Sequence, residues 1–223
     1  MAEIQSQSFQ DMFIRSRKTI LEILTLRGYD VTPYSKMGPE ELAKLCSAVV
    51  LHTNPDALEI NVKHRENPEK SCLVKYSYNR VKNDLEKVVK KLLENEEEPE
   101  KVINPEFTEV IYIVLEPMAD NFHASALKAW YKNKLRIQYY WIPSLVNNPM
   151  NHVLQPKFEI VPQEQHKDLM KEKYVTSKSQ FPAIRFHVDM MARILGLVPG
   201  DIVKITRPSY SSGTYELYRV CTP

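Results

Sequence analysis

The chain has 223 residues, of which 43% are hydrophobic and 26% are charged. This composition excludes an intrinsically disordered chain, and the length allows one large domain or two smaller ones. A formal net charge of +2 excludes a uniformly basic protein that coats nucleic acid. The apolar runs are too short to cross a bilayer and the N-terminus lacks a signal-peptide pattern, so we expect a soluble intracellular protein.

The three cysteines, Cys46, Cys72 and Cys221, are far apart in the sequence. An odd number at such spacing is typical of a reducing compartment and matches no zinc motif. We interpret them as buried or unreactive thiols, and the sequence predicts neither a metal site nor a cofactor.

Two helices are predicted at the start of the chain. The first runs from Phe9 to Arg27 with apolar residues at helical spacing, and Gly28 marks its end. Its expected polar side carries Arg15, Arg17 and Lys18. A second helix is expected over residues 38–45, where a proline and two glutamates suit a first turn.

Strand signals follow the helices. The alternation of Leu58, Ile60 and Val62 predicts one strand, and residues 71–77 predict another. An amphipathic helix is expected from residue 80 onward, and its acidic end over 94–100 is expected to be a solvated tail. The expected buried side of this helix consists of Val81, Leu85, Val88, Val89, Leu92 and Leu93.

Residues 109–117 are β-branched and apolar on both faces, which predicts a central strand covered on two sides. A helix over 123–133 and a strand over 135–143 complete a strand–helix–strand order, which predicts parallel crossovers. We therefore interpret residues 1–147 as one α/β domain and place the boundary in the Pro- and Asn-rich segment that follows.

Residues 148–223 predict a small α+β domain. A strand over 157–161, a Pro-led helix over 162–174 and a short strand over 181–188 come first. Asp189 is predicted to cap a short helix, Gly196 to end it in the left-handed conformation, and residues 198–201 to form a type II turn.

Two strands are predicted at the end of the chain. The first begins at Asp201, and Arg207-Pro208 is expected to end it because proline cannot donate to the ladder. Gly213 can supply a positive φ in the connection. The last strand is expected to carry Tyr215, Leu217 and Arg219 on one face.

Residues 181–220 resemble the C-terminal domain of the fifth subunit of eukaryotic nuclear RNA polymerases, which has a small archaeal counterpart. The positions that fall on the family pattern in order are Pro182, Ile184, Asp189, Ala192, Arg193, Gly196, Gly200, Val203, Lys204, Ile205, Arg207, Pro208, Ser209, Gly213, Tyr215, Tyr218 and Arg219. Residues 17–29 are similar, more weakly, to the first helix of the eukaryotic version, an N-terminal region that the archaeal counterpart lacks.

The sequence departs from this family pattern in places. Met190 replaces a proline, and Tyr210, Ser211 and Ser212 replace Glu-Thr-Ala. Such departures suggest a specialised paralogue or a copy encoded by a large DNA virus, and we favour the virus.

The resemblance implies a non-catalytic polymerase subunit. Its C-terminal domain would dock on the largest subunit, and its N-terminal α/β domain, with a nuclease-like fold, would form part of the lower jaw beside downstream DNA. Expected DNA binding is weak, sequence-neutral and salt-sensitive. The implied location is the nucleus, or a cytoplasmic viral factory and the virion if a virus encodes the chain.

The resemblance also implies site residues. The candidates for the subunit interface are Arg193, Gly196, Gly200, Lys204, Arg207, Pro208, Ser209, Gly213, Tyr215, Tyr218 and Arg219. The candidates near DNA, in and after the loop that follows the central strand, are Asn121, His123, Ser125 and Lys128. An alternative interpretation has Tyr218 and Arg219 bonding their own domain's backbone.

Two other functions are open to test. A nuclease of the restriction-enzyme fold needs two carboxylates and a lysine at a metal, and the chain offers Pro55-Asp56, Glu59 and Lys63 with a spacing that departs from that motif. A free-standing nucleic-acid adaptor predicts a basic stripe, which the sequence does not contain.

Overall fold

The computed structural model describes residues 2–38, 40–42, 44–45, 58–77, 79–94 and 102–223, with side chains from residue 10 onward. The chain forms two compact units, Met1–Pro149 and Met150–Pro223. Within the described ranges, no helix is both long and apolar enough to span a membrane.

The first unit is a four-stranded sheet with helices. Its helices are α1 (Ala2–Leu26), α2 (Thr32–Ser35), α3 (Leu85–Leu93) and α4 (Asp120–Asn133), and residues 40–42 and 44–45 are also helical. Its strands are β1 (Ile60–Lys63), β2 (Ser71–Ser77), β3 (Thr108–Val114) and β4 (Ile137–Trp141). The strand order is β1-β2-β3-β4, with β1 antiparallel to β2 and the other pairs parallel.

The predicted central strand and its crossover are confirmed. Strand β3 lies between β2 and β4, and α4 connects the parallel pair β3 and β4. Val110, Ile111, Ile113 and Val114 are fully buried, so both faces of β3 contribute to the core. On β1, Ile60 and Val62 are buried while their neighbours are exposed, as the alternation predicted.

Helix α1 ends in a Schellman motif. Gly28 has φ 87°, its N–H donates to Thr25 O at 3.0 Å, and the N–H of Tyr29 donates to Leu24 O at 3.0 Å.

The expectation that Arg17 lies on the polar side is wrong. It is 3% exposed, and Nη1 donates to the carbonyl of Leu58 at 3.1 Å, which compensates for its burial.

Helix α3 is shorter than predicted. Val81 is buried, but it lies in a turn before the helix, where Glu116 Oε2 accepts the N–H groups of Val81 and Lys82 at 3.2 and 3.0 Å. This distant carboxylate accepts the N–H groups of the turn, and the helix itself begins at Leu85. Leu85 and Leu92 are buried as predicted, whereas Val88, Val89 and Leu93 are only partly buried. Residues 95–100 of the predicted acidic tail lie outside the described residues.

The second unit is a four-stranded sheet with two short α-helices. Its strands are β5 (Lys157–Val161), β6 (Ala183–Arg185), β7 (Ile202–Ser209) and β8 (Gly213–Thr222), and its helices are α5 (His166–Glu172) and α6 (Met190–Leu195). Single 3-10 turns lie at Gln163–Gln165 and Lys178–Gln180. The strand order is β5-β7-β8-β6, with β6 parallel to β8 and the other pairs antiparallel. A buried cluster packs α5 against the sheet through Leu169, Phe181, Ile202 and Val220.

The prediction that Arg207-Pro208 ends β7 is wrong, because the strand continues to Ser209 and Pro208 pairs with Thr214 on β8. The neighbouring strand β5 pairs with β7 only as far as Thr206. Beyond that residue one side of β7 has no ladder partner among the described strands, so the missing proline N–H is tolerated.

The predicted local geometry around α6 is confirmed. Asp189 Oδ1 accepts the N–H groups of Met191 and Ala192 at 2.8 and 3.4 Å, and Gly196 has φ 70°. In the next turn Gly200 has φ 97°, and the N–H of Asp201 donates to Val198 O at 3.0 Å, as in a type II turn.

Removing the cap of α6 should weaken the fold measurably. Asp189→Ala is expected to lower the free energy of unfolding by about 1 kcal/mol because two helix amides lose their acceptor. Asp168→Ala is the control, since the Asp168 side chain is 84% exposed in a salt bridge of 3.7 Å and should change stability by less than about 0.5 kcal/mol. Urea unfolding of the full chain measures both, and equal effects would contradict the capping role.

Candidate subunit interface

The β7–β8 hairpin projects past the rest of its sheet. The two strands pair from Ile202↔Val220 to Ser209↔Gly213, whereas β5 reaches only Thr206 and β6 reaches only Val220. Residues 207–215 therefore form a two-stranded ribbon, which we call the terminal ribbon. A two-stranded ribbon is marginally stable by itself, so a partner surface would stabilise it.

The terminal ribbon exposes aromatic and cationic groups. Arg207 and Tyr215 are direct cross-strand partners and therefore share a face. Tyr215 is 56% exposed, Arg207 is exposed, and Tyr210 at the tip is fully exposed. Guanidinium and phenol side chains are the groups enriched at the energetic centres of protein interfaces.

The base of the hairpin is occupied by its own polar contacts. Lys204 Nζ lies 2.5 Å from Glu216 Oε1, and this hydrogen bond raises the pKa of Lys204 and lowers that of Glu216. The Tyr218 hydroxyl donates to Glu216 Oε2 at 3.2 Å, and Lys173 Nζ lies 5.3 Å from the centroid of its ring. Lys204 and Tyr218 thus have partners within the second unit.

The remaining interface candidates divide by exposure. Pro208 and Gly213 are exposed on the terminal ribbon and Ser209 is partly buried there. Arg193 is 7% exposed and Gly196 is buried, so both lie inside the unit. Gly200 is partly buried in the turn before β7.

Arg219 bonds its own domain, as the alternative interpretation had it: Nη1 donates to the carbonyl of Ala183 on β6 at 3.0 Å.

Sequence reasoning missed the exposed apolar side chains of Val153, Leu154 and Tyr174, which are 97%, 83% and 96% exposed. Val153 and Leu154 lie in the Pro- and Asn-rich segment, where no period signals orientation, and Tyr174 lies past the end of α5 at Glu172 although the predicted helix included it.

The residues expected near DNA lie on α4. Asn121 is exposed in its first turn, His123 is partly buried, and Ser125 Oγ lies 3.2 Å from the Tyr139 hydroxyl. Lys128 Nζ lies 2.5 Å from Glu86 Oε1, and this contact lowers the pKa of Glu86. The charge of Lys128 is therefore partly neutralised within the unit.

A cavity of about 330 Å³ brings the starts of α3 and α4 together. Lys82 and Asn83 line it from before α3, and Asn121, Ser125 and Lys128 line it from α4. Two helix starts, whose free amides favour phosphate oxygens, and two lysines border this opening. The Glu86 carboxylate that pairs with Lys128 also lines it. Lys82 was not among the sequence candidates because it lies about 40 residues from the predicted loop.

The first unit also contains a buried ion cluster that sequence reasoning missed. Glu109 Oε2 lies 3.1 Å from Arg27 Nη1, and Glu109 Oε1 lies 2.9 Å from Arg136 Nη1. Arg27 Nη2 also donates to Gln138 Oε1 at 2.6 Å. Burial by itself would raise the pKa of Glu109, but Arg27 and Arg136 outweigh it and hold this pKa below its ordinary value.

The nuclease residues are only partly described. Glu59 Oε2 lies 3.2 Å from Lys75 Nζ, and Lys63 is the exposed last residue of β1. Pro55 and Asp56 lie outside the described residues. Among the residues that are described, no group of three or more His, Cys, Asp and Glu side chains could hold a metal ion.

Two of the three cysteines are buried thiols, as interpreted from the sequence. Burial raises the pKa of the Cys72 thiol far above its ordinary value and that of Cys221 to about 12. Both therefore stay protonated and unreactive near neutral pH. Cys46 lies outside the described residues.

Comparison with known proteins identifies a family that matches the second unit. Residues 147–221 match the family model described as RNA polymerase Rpb5, C-terminal domain. The archaeal RNA polymerase subunit Rpo5 of Methanosarcina barkeri is 41% identical over 71 residues, which cover 32% of this chain and 88% of that relative.

Similarity also extends over most of the chain. The subunit rpabc1 of DNA-directed RNA polymerases I, II and III from Dictyostelium discoideum is 27% identical over 213 residues, covering 93% of this chain and 96% of the relative. Subunit 5B of RNA polymerases IV and V from Arabidopsis thaliana is 26% identical over 206 residues, covering 92% and 87%. The chain therefore belongs to the Rpb5 family of RNA polymerase subunits, which confirms the resemblance stated from the sequence.

Proposed function

We propose that this chain is a non-catalytic structural subunit of a multisubunit DNA-directed RNA polymerase. The observation that carries the proposal is the match of 96% of the length of a eukaryotic polymerase subunit, together with family membership of the second unit. The other polymerase subunits are then its partners. The proposed location is the nucleus, or the viral factory and virion for a virus-encoded copy.

The second unit is proposed to dock on the largest subunit through the terminal ribbon. Supporting this, Arg207 and Tyr215 are exposed on one face of a ribbon that extends beyond its own sheet. Lys204, Tyr218 and Arg219 already have partners within the unit, so they support the ribbon. The contact energy is therefore expected to come mainly from Arg207, Tyr215 and the tip.

Affinity purification of the tagged full chain from its native source tests this proposal. The wild type should recover two very large polymerase subunits in stoichiometric amounts. Arg207→Ala/Tyr215→Ala should reduce that recovery at least tenfold, because each such anchor contributes about 2 kcal/mol or more at a well-packed interface. Tyr131→Ala is the matched control, since Tyr131 is also 56% exposed but lies in the first unit.

Two results would contradict the proposal. If the wild-type chain is recovered without large polymerase subunits, the polymerase role is wrong. If the polymerase role holds but both variants recover the large subunits equally, the dock lies elsewhere on the chain.

The first unit is proposed to form part of the lower jaw near downstream DNA. The cavity at the starts of α3 and α4 supports weak phosphate contact, with Lys82 and Lys128 at its border. Asp120 beside it, in the first turn of α4, opposes strong binding.

Duplex DNA should bind the full chain weakly and without sequence preference. Lys82→Gln/Lys128→Gln should lower the slope of log K against log salt by about 1 to 2, one unit for each lost phosphate contact. Fluorescence polarisation over a salt series measures the slope, with Lys171→Gln in the second unit as control. An unchanged slope, or affinity that depends on sequence, would contradict the jaw contact.

A further inference from the structure

A second cavity, of about 270 Å³, lies at the end of the first unit's sheet that is opposite to the loop expected near DNA. It opens where the parallel strands β2, β3 and β4 begin, whereas the loop expected near DNA follows the end of β3. We call it the Trp130 cavity. Its walls include the exposed Lys70 before β2, the loop residue Phe107, and Trp130 and Lys134 at the end of α4.

The Trp130 cavity has an excess of positive charge. Its lining and the ion cluster behind it contain the cations Arg27, Lys70, Lys134 and Arg136 and the carboxylates Glu106 and Glu109. Four cations face two carboxylates, and one of those carboxylates is already shared by two guanidinium groups. Such an excess favours an added anion, and because Lys70 and Lys134 are exposed the attraction should weaken with added salt.

Two of these cations, Lys134 and Arg136, contact the aromatic wall. Lys134 Nζ lies 5.3 Å and Arg136 Cζ 5.8 Å from the centroid of the Trp130 ring. Lys134 has φ 57°, a left-handed conformation that favours glycine, and this turn places its backbone N–H on the carbonyls of Ala129 and Trp130. A nucleic-acid base that stacked on Trp130 would therefore compete with these two cations.

The cavity also offers apolar surface beside the charges. Phe107 is 38% exposed, and Pro105, Tyr29 and Trp130 complete the wall. An inorganic anion would leave this surface unused. A peptide can place a carboxylate against Lys134 and Arg136 and a neighbouring apolar side chain against Phe107.

We propose that the Trp130 cavity binds an acidic peptide segment of a protein partner, one that alternates carboxylate and apolar side chains. The cavity is formed by residues of the first unit alone, and it lies at the end of the sheet opposite to the loop expected near DNA. It therefore does not depend on either proposed polymerase contact.

Tryptophan fluorescence of the full chain tests the proposal. The sequence contains only Trp130 and Trp141, so a Trp141→Phe background assigns the emission to the cavity. The probe is a blocked peptide of sequence Glu-Leu-Asp-Leu-Glu-Leu, and its Gln/Asn counterpart is the neutral control. We expect a saturable change in Trp130 emission with the acidic peptide, and at least tenfold weaker binding of the neutral peptide.

Matched variants separate the cavity from general charge attraction. Lys70→Gln/Lys134→Asn should weaken binding of the acidic peptide at least tenfold, and asparagine tolerates the left-handed conformation of residue 134. Lys90→Gln/Lys91→Gln removes two exposed charges from α3 and should leave binding unchanged. Circular dichroism checks that both variants keep the wild-type fold.

Three results would overturn the proposal. Equal weakening by the two double variants would mean unspecific attraction. An unchanged Trp130 emission at saturating peptide would mean that the cavity is not used. Inorganic phosphate that binds as tightly as the acidic peptide and displaces it would assign the cavity to a small anion.

Discussion

Glu109→Gln is expected to lower the free energy of unfolding of this chain by about 3 to 5 kcal/mol, the range for removing one partner of a buried ion pair. The side chains of Arg27 and Glu109 are only 7% and 17% exposed. An amide in place of the carboxylate leaves two guanidinium groups, of Arg27 and Arg136, without their shared counter-charge. Urea unfolding followed by circular dichroism measures the loss.

Two variants control this prediction. Glu106→Gln changes an exposed carboxylate three residues away and should alter stability by less than about 0.5 kcal/mol. Adding Arg27→Met to Glu109→Gln should recover part of the loss, because the uncompensated buried cation is then gone. A Glu109→Gln chain as stable as the Glu106→Gln chain would show that the cluster is not stabilising.

The same cluster predicts an acid sensitivity. The pKa of Glu109 is held below its ordinary value of 4.5 in the folded chain, so the unfolded chain binds the proton more readily. The stability that the carboxylate contributes is therefore fully present above about pH 4.5 and is lost as the pH falls through the lower folded pKa.

Patterns between near neighbours predicted much of this fold. The strands at 71–77 and 157–161 agree with β2 and β5 in both bounds. The structure also contains the predicted cap at Asp189, the left-handed Gly196 and the turn over 198–201, because capping and positive φ are set by residues a few positions apart.

Features that depend on distant residues were not predictable from such patterns. Arg27 and Glu109 are 82 positions apart, and helical spacing gives no reason to pair them. Arg17 was expected in solvent, yet a carbonyl 41 positions away accepts its hydrogen bond. Glu116 likewise accepts the N–H of Val81, before α3, from 35 positions away.

The interface candidates came from the family resemblance, and the structure then showed which of them are exposed. The resemblance implied Arg193 and Arg207 equally, but Arg193 is buried and Arg207 is exposed. Only the strand register shows that β5 stops at Thr206 and leaves the terminal ribbon beyond it. Arg207 and Tyr215 are therefore the residues to substitute in the test of docking.

Gly28→Ala is the second change with a large expected effect, a loss of about 2 to 4 kcal/mol, because two independent costs combine there. Gly28 has φ 87°, and an added Cβ would lie 2.7 Å from His64 Nε2. The His64 ring cannot turn away easily. Its Nδ1 accepts the N–H groups of Glu66 and Asn67 at 3.2 and 3.3 Å, and it packs edge-on against Tyr29 with centroids 5.5 Å apart.

Two other glycines separate the costs of Gly28→Ala. Gly213 has φ 71° and no atom within 4 Å of an added Cβ, so Gly213→Ala should show the backbone cost alone, about 1 kcal/mol. Gly38 has neither feature, and Gly38→Ala should be neutral or stabilise the chain by up to about 1 kcal/mol. Urea unfolding should therefore show the largest loss of stability for Gly28→Ala, a smaller loss for Gly213→Ala and no loss for Gly38→Ala. If Gly28→Ala costs no more than Gly213→Ala, His64 does not confine the turn, and the end of α1 can move away from β1 without loss.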